Sequence, residues 1–325
     1  MILALDRFIP HPLLFNGHAM TVAAALLPRS SPFEAEETLF QIDSDTRVRA
    51  LCNWQPDRAR APTIVALHGL TGSADATYMR ALAIKAVARG FNVVRINARN
   101  CGGSEHLTPT LYHSGLTEDC RSVLQQLAQA GLQKPFLVGF SMGGNVALKL
   151  SCELGPTASD WIRGVAAVSA PIQLAAASRA IDTGWINYVY QQSFLRFLID
   201  LVRRKAQRYP ARYDLTCIDR IRTLRAFDDR YIAPMFGFAG VDDYYRRASA
   251  GAILASLQIP ALIIHARDDS IVPIAAIEAW RGLAPKEVTF LLSDRGGHNG
   301  FIAAARREED RYWAENRIVE WIQRR

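Results

Sequence analysis

The chain has 325 residues, half of them hydrophobic and 21% charged, with a formal net charge of +7. That is the balance of a globular protein with a real core. Its longest apolar stretches, such as Ala19 to Leu27, are too short for a membrane span, and Asp6 and Arg7 leave no long apolar h-region for a secretory signal. The positive charge is spread along the chain apart from one cluster, and no nucleic-acid motif accompanies it.

Cys52, Cys101, Cys120, Cys152 and Cys217 are scattered, odd in number and form no C-x-x-C pair. They read as reduced thiols, neither a disulfide framework nor a metal site, and the expected location is the cytoplasm.

Residues 1–35 are rich in proline and small apolar residues and give no clear element. Thr38–Ile42 and Arg47–Trp54 are strand-like and are separated by the turn signal Asp43-Ser-Asp45. Ile64–Leu67 is a compact apolar strand running into His68-Gly69. Thr77–Arg89 reads as a helix closed by Gly90, and Asn92–Ile96 as the next strand. A helix over Leu116–Ala130 ends at Gly131. Phe136–Val138 is a strand, Asn145–Leu154 a helix and Gly164–Ser169 a buried strand. From Pro171 to Leu257 the alternation stops, and the chain is mainly helical, aromatic and basic. It resumes with the strand Ala261–His265, a helix near Ile274–Arg281, the strand Val288–Leu292 and a last helix from about Glu308 to Gln323.

Strands alternating with helices imply a largely parallel sheet covered on both faces. The expected organisation is an α/β core over residues 1–170 and 258–325. A mainly helical lid over 171–257 is inserted after the sixth strand.

The run Phe136-Leu-Val-Gly-Phe-Ser141-Met-Gly-Gly-Asn145 takes a short apolar strand through G-x-S-x-G into helix-forming residues. Such a turn strains the serine backbone and exposes its hydroxyl at the end of the sheet. It also demands small residues two before and two after, here Gly139 and Gly143. This points to nucleophilic attack by Ser141 on an acyl carbon. The motif alone is also compatible with a glycine-rich turn, so the remaining groups must agree.

An oxyanion needs donors. One is the backbone N–H after the nucleophile, that of Met142. The other falls on the loop after the third strand, His68-Gly69-Leu70-Thr71-Gly72, and is assigned to Leu70. His68 itself reads as a brace for that loop. The acid is expected after the seventh strand, in Arg267-Asp268-Asp269-Ser270-Ile271-Val272-Pro273. The D-x-x-V-P spacing favours Asp269, with Asp268 as competitor and a helix cap or turn as the role of the other. The base is expected after the eighth strand, on the glycine-flanked loop carrying His298. The chain order Ser141, Asp269, His298 suits this strand–turn–helix arrangement.

More segments carry a specific likeness: Asn16-Gly-His18 with Thr21; Arg99-Asn-Cys-Gly-Gly-Ser104 with Leu111-Tyr-His113; Gly139 to Leu150; Phe227-Asp228 with Gly237-Phe238 and Tyr244-Tyr245; and Gly296-Gly-His-Asn-Gly-Phe301. With the three loops, they resemble the α/β-hydrolase superfamily in its YheT-like branch, the AB hydrolase-4 family, over nearly the whole chain. The resemblance implies an α/β-hydrolase fold and a carboxylic-ester hydrolase, with medium-chain acyl esters or phospholipids as substrates. An ester-forming acyltransferase with the same triad is the alternative. Family members often carry Thr where this chain has Ile232, so specificity is expected to differ if that position touches substrate. The membrane anchors of some eukaryotic relatives have no counterpart pattern here.

No cofactor or metal is expected, and the partners are a small-molecule ester or a lipid. Asp228, Asp229, Asp242 and Asp243 match no calcium-loop spacing and read as turn and lid contacts. Tyr244 and Tyr245 read as packing ahead of an acyl pocket. Phe194, Phe197, Leu198, Leu201 and Val202 give Ser193–Arg208 helical spacing, closed by Arg203, Arg204, Lys205 and Arg208. These cations suit a packed lid helix whose dipole favours them, or a lid making weak contact with an anionic membrane. A non-catalytic binding scaffold would be expected to lack a triad member, and dehalogenase chemistry would need an aspartate in place of Ser141.

Overall fold

The computed structural model describes residues 7–27, 29, 32–306 and 309–325. An uninterrupted apolar run such as Ile64-Val-Ala-Leu67 can lie in a sheet only where both faces are covered. It forms β3 (Thr63–Leu67), every residue of which is buried. The other strands are β1 (Glu36–Gln41), β2 (Arg47–Asn53), β4 (Asn92–Ile96), β5 (Phe136–Phe140), β6 (Gly164–Val168), β7 (Ala261–Ala266) and β8 (Val288–Ser293). They make one sheet in the order β1-β2-β4-β3-β5-β6-β7-β8. β1–β2 and β2–β4 pair antiparallel, and the pairs from β4–β3 to β7–β8 are parallel.

Alternation along each strand divides the core between the two faces. Val65, Leu67, Leu137 and Ile263 pack on one side with α3 (Glu118–Gln129) and α4 (Met142–Leu154). Ile64, Ala66, Val138 and Ile264 pack on the other with α1 (Gly17–Leu26), α2 (Thr77–Val87) and α12 (Trp313–Gln323). The chain leaves β3 for β4 on one side and returns to β5 on the other. The ends of β3 and β5 therefore form a topological switch point, where a crevice opens.

Between β6 and β7 lie the helices of the segment expected to form a lid. After the short α5 (Ala158–Trp161), which precedes β6, they are α6 (Leu174–Ile181), α7 (Trp185–Arg208), α8 (Leu224–Phe227), α9 (Ala233–Met235) and α10 (Val241–Ala248). These helices share a third apolar cluster that includes Leu201, Phe227, Tyr244 and Tyr245. The last core helix before β8 is α11 (Ala275–Arg281).

Three elements differ from the sequence reading. The N-terminal segment contains α1, capped by Asn16 Oδ1 accepting from Ala19 N–H at 2.8 Å. The lid helix starts at Trp185, ahead of the expected Ser193. Its first turns bury amides instead of aliphatics: Asn187 Nδ2 donates to Ala180 O and Ser270 O, and Gln191 Nε2 to Ile181 O. An apolar periodicity cannot register such a face. The final helix begins at Trp313, and Glu308 lies outside the described residues.

The basic end of α7 is engaged within the fold. Arg204 makes a bidentate pair with Glu105, and Arg203 pairs with Asp200 and Asp219. Buried Lys205 donates to the carbonyls of Glu105 and Thr108, and burial lowers its pKa to about 8. Among the described residues no helix is long and apolar enough to cross a membrane.

Candidate active site

Ser141 stands between β5 and α4 with φ 52° and ψ −122°, a strained backbone for a residue with a Cβ. The strand and helix cross so closely that a Cβ at Gly139 would meet Gly143 O at 2.2 Å, and one at Gly143 would meet Leu67 O at 2.4 Å. Gly144 is also a packing requirement, since a Cβ there would lie 2.9 Å from Ala170 Cβ.

The three candidate triad residues meet. Ser141 Oγ lies 2.8 Å from His298 Nε2, and His298 Nδ1 lies 2.9 Å from Asp269 Oδ2. Asp269 Oδ1 accepts the N–H groups of Ile271 and Val272, each at 2.9 Å. Burial opposes ionisation of Asp269, but the charge and hydrogen bond of His298 outweigh it and hold the carboxyl below the usual carboxylate range. Asp268 points elsewhere, accepting Gly297 N–H at 2.8 Å. A further histidine, His265, ties Val272 O to β7 at 2.9 Å and so fixes the acid loop; no sequence pattern marked it.

The loop after β3 is braced residue by residue. His68 Nε2 accepts Ala98 N–H at 3.0 Å, so Nδ1 carries the proton and donates to Gly69 O at 2.7 Å. Burial lowers its pKa to about 4, keeping the ring neutral. Gly69 N–H donates to Tyr78 Oη and Thr71 N–H to Tyr112 Oη, both at 3.0 Å. Leu70 N–H, between them, donates to no described residue. Met142 opens α4, where the first N–H groups lack intrahelical acceptors.

Tyr112 is a positioning residue: it holds Thr71, next to Leu70, and is not among the residues that line the cavity described below. Tyr112→Phe would leave Thr71 N–H unpaired and loosen the loop. We expect kcat to fall about tenfold with KM little changed, measured by steady-state kinetics.

The loop carrying His298 is clamped by α1. Thr21 Oγ1 accepts His298 N–H at 2.8 Å and donates to Gly17 O at 2.7 Å. The approach is so close that a Cβ at Gly297 would meet Gly17 O at 2.2 Å, and one at Gly17 would meet Asp268 O at 2.2 Å. Gly297, Asn299 and Phe301 all have positive φ. In sequence, Asn16-Gly-His18 with Thr21 was visible as a likeness without a role.

A cavity of about 450 Å³ opens beside Ser141 and His298, lined mainly by apolar side chains including Leu70, Met142, Leu174 and Ile181. Val22 and Leu26 of α1 line it and remain exposed, so the mouth lies at that helix. Tyr244 and Tyr245, expected to serve packing, are buried and also line the cavity. Ile232 is buried in the lid cluster and is not among the lining residues.

Of the four lid aspartates, Asp229 accepts Val241 N–H, Asp242 pairs with Arg225, and Asp243 pairs with Arg246 and Arg247. Asp228 alone faces the cavity. Burial raises its carboxyl from 3.8 to about 7, against a smaller opposing effect of the Tyr245 hydroxyl. The folded chain thus holds this proton more tightly than the unfolded chain. The stability it confers is full below pH 3.8 and is lost as pH rises through 7. Asp228→Asn is therefore expected to be near neutral at pH 4 and stabilising by about 2 kcal/mol at pH 8, discounted for partial exposure. Urea unfolding at the two pH values checks this.

Among the described residues no group of three or more His, Cys, Asp or Glu side chains could hold a metal ion. All five cysteines are free.

Residues 62–305 match the family model for the alpha/beta hydrolase fold. The chain belongs to the α/β-hydrolase family. This α/β hydrolase is 33% identical over 321 residues to the Escherichia coli (strain K12) protein YheT, whose name designates it an esterase; the alignment covers 97% of this chain and 93% of that one. That likeness places it in the YheT-like branch. It is 28% identical over 306 residues to Phospholipase ABHD3 of Homo sapiens, covering 91% of this chain and 74% of the relative. Among solved structures, Pyrococcus furiosus esterase Pf2001 matches with a TM-score of 0.59 at 17% identity, covering 92% of this chain and 97% of that one. At that identity the match speaks for the fold alone.

Proposed function

We propose that this α/β hydrolase cleaves carboxylic esters of medium-length acyl chains through a Ser141–His298–Asp269 triad and an acyl-enzyme. The observation that carries the reading is the continuous hydrogen-bonded series from Ser141 Oγ to Asp269, at the wall of an apolar cavity. The names of the relatives, an esterase and a phospholipase, support an acyl ester as substrate.

His298 Nε2 takes the Ser141 proton as Oγ bonds to the acyl carbon. The oxyanion that forms is held by the N–H groups of Leu70 and Met142. Asp269 keeps Nδ1 protonated and stabilises the imidazolium. His298 then gives its proton to the departing alkoxide, and the alcohol leaves. A water, deprotonated by the same nitrogen, attacks the acyl-enzyme and releases the acid and free Ser141.

The test is hydrolysis of p-nitrophenyl esters with acyl chains from acetyl to palmitoyl. Turnover above the uncatalysed rate with an optimum at intermediate length is expected. No turnover at any length would overturn the proposal.

A further inference from the structure

Buried carboxyl groups are normally paired with a cation or satisfied by several donors. Asp228, half-buried at the cavity wall, meets neither condition. Its Oδ2 lies 2.8 Å from Tyr245 Oη, which in turn lies 3.2 Å from Ser178 Oγ. Its Oδ1 has no donor among the described residues, and it takes part in no described salt bridge. Asp228, Tyr245 and Ser178 all line the cavity that holds Ser141 and His298.

The backbone sets Asp228 apart as well. It opens a π-helical turn, Asp228–Ile232, between α8 and α9. Such turns cost hydrogen-bond geometry and recur at functional sites. The turn aims Asp228 inward while its neighbour Asp229 faces the lid surface and accepts Val241 N–H.

We infer that Asp228, backed by Tyr245 and Ser178, is a specificity subsite that accepts a hydrogen bond from a hydroxyl group carried by the ester substrate away from its scissile bond. A hydroxyl fits better than an ammonium group. The wall around Asp228 is mainly apolar, where an ammonium group would lose its hydration, and the Ser178–Tyr245–Asp228 series is itself a chain of hydroxyls ending on a carboxyl. Burial raises the carboxyl to about 7, as befits an acid facing an apolar space with no cation beside it. The inference rests on the ester-hydrolase reading. The hydroxyl can belong to the acyl or to the alcohol half of the ester.

The experiment compares three esters: ethyl hexanoate, 2-hydroxyethyl hexanoate and ethyl 6-hydroxyhexanoate. Their kcat/KM values are measured for the native protein, Asp228→Leu and Asp228→Asn. One hydroxylated ester is expected to exceed the parent by about tenfold in the native protein, the size of one hydrogen bond made away from bulk water. Which one it is identifies the half that carries the hydroxyl. Both variants should reduce that ratio at least threefold. Asp228→Asn preserves an acceptor for Tyr245, so it reads the subsite even if the leucine variant fails to fold.

Calorimetric binding of the matching ethers, which cannot be hydrolysed, to Ser141→Ala separates the two readings. Selective binding of a hydroxylated ether without turnover of any ester would leave the subsite standing and refute the hydrolase. Turnover with ratios within twofold in every protein would refute the subsite alone.

Discussion

Ser141→Ala should lower kcat on a p-nitrophenyl ester by about 10⁵-fold or more while leaving the fold intact. The nucleophile disappears, but alanine tolerates the same strained φ of 52° no worse than serine does, and Gly139 and Gly143 still admit the crossing of β5 and α4. Any residual rate would come from water attacking a carbonyl polarised by Leu70 and Met142, without a covalent intermediate. The measurement is turnover beside the unfolding midpoint. A variant with native stability and near-native turnover would remove Ser141 from the reaction.

The second large effect separates two adjacent carboxylates. In Asp269→Asn the amide oxygen can keep accepting from Ile271 and Val272 N–H, so the loop holds its shape. The amide nitrogen then faces His298 Nδ1, which must become an acceptor, and the ring proton moves to Nε2. A protonated Nε2 cannot take the proton of Ser141. The expected loss is about 10⁴-fold in kcat, with little change in KM. Asp268→Asn keeps its bond to Gly297 N–H and should stay within about tenfold of the native rate. Steady-state kinetics on both variants decides, and the opposite ranking would transfer the acid role to Asp268.

The fold was legible because its strands are written in apolar runs. Asn92–Ile96 reads identically in sequence and structure, and the glycines of G-x-S-x-G are there because two backbones cross. The groups now meeting at Ser141 were legible because each follows the end of a strand. The supporting groups were not. Tyr78 and Tyr112 come from different elements and meet only on the loop after β3, so no spacing links them. The buried face at the start of α7 is built from Asn187 and Gln191, which a hydrophobic period scores as exposed. Asp228 shares its composition with three neighbouring aspartates, and only the folded chain shows that it alone of the four lines the cavity.

The bond from His298 N–H to Thr21 joins positions 277 apart in the chain. Closing so long a loop carries one of the larger entropy costs in the molecule, yet the helix that closes it is small and keeps Val22 and Leu26 in solvent. Partial unfolding can then begin where α1 lifts away, at a lower free energy than melting of the sheet. Warming or mild denaturant would disarm the protein while its strands remain paired, and catalytic competence becomes a report on whether the two ends of the chain are still joined.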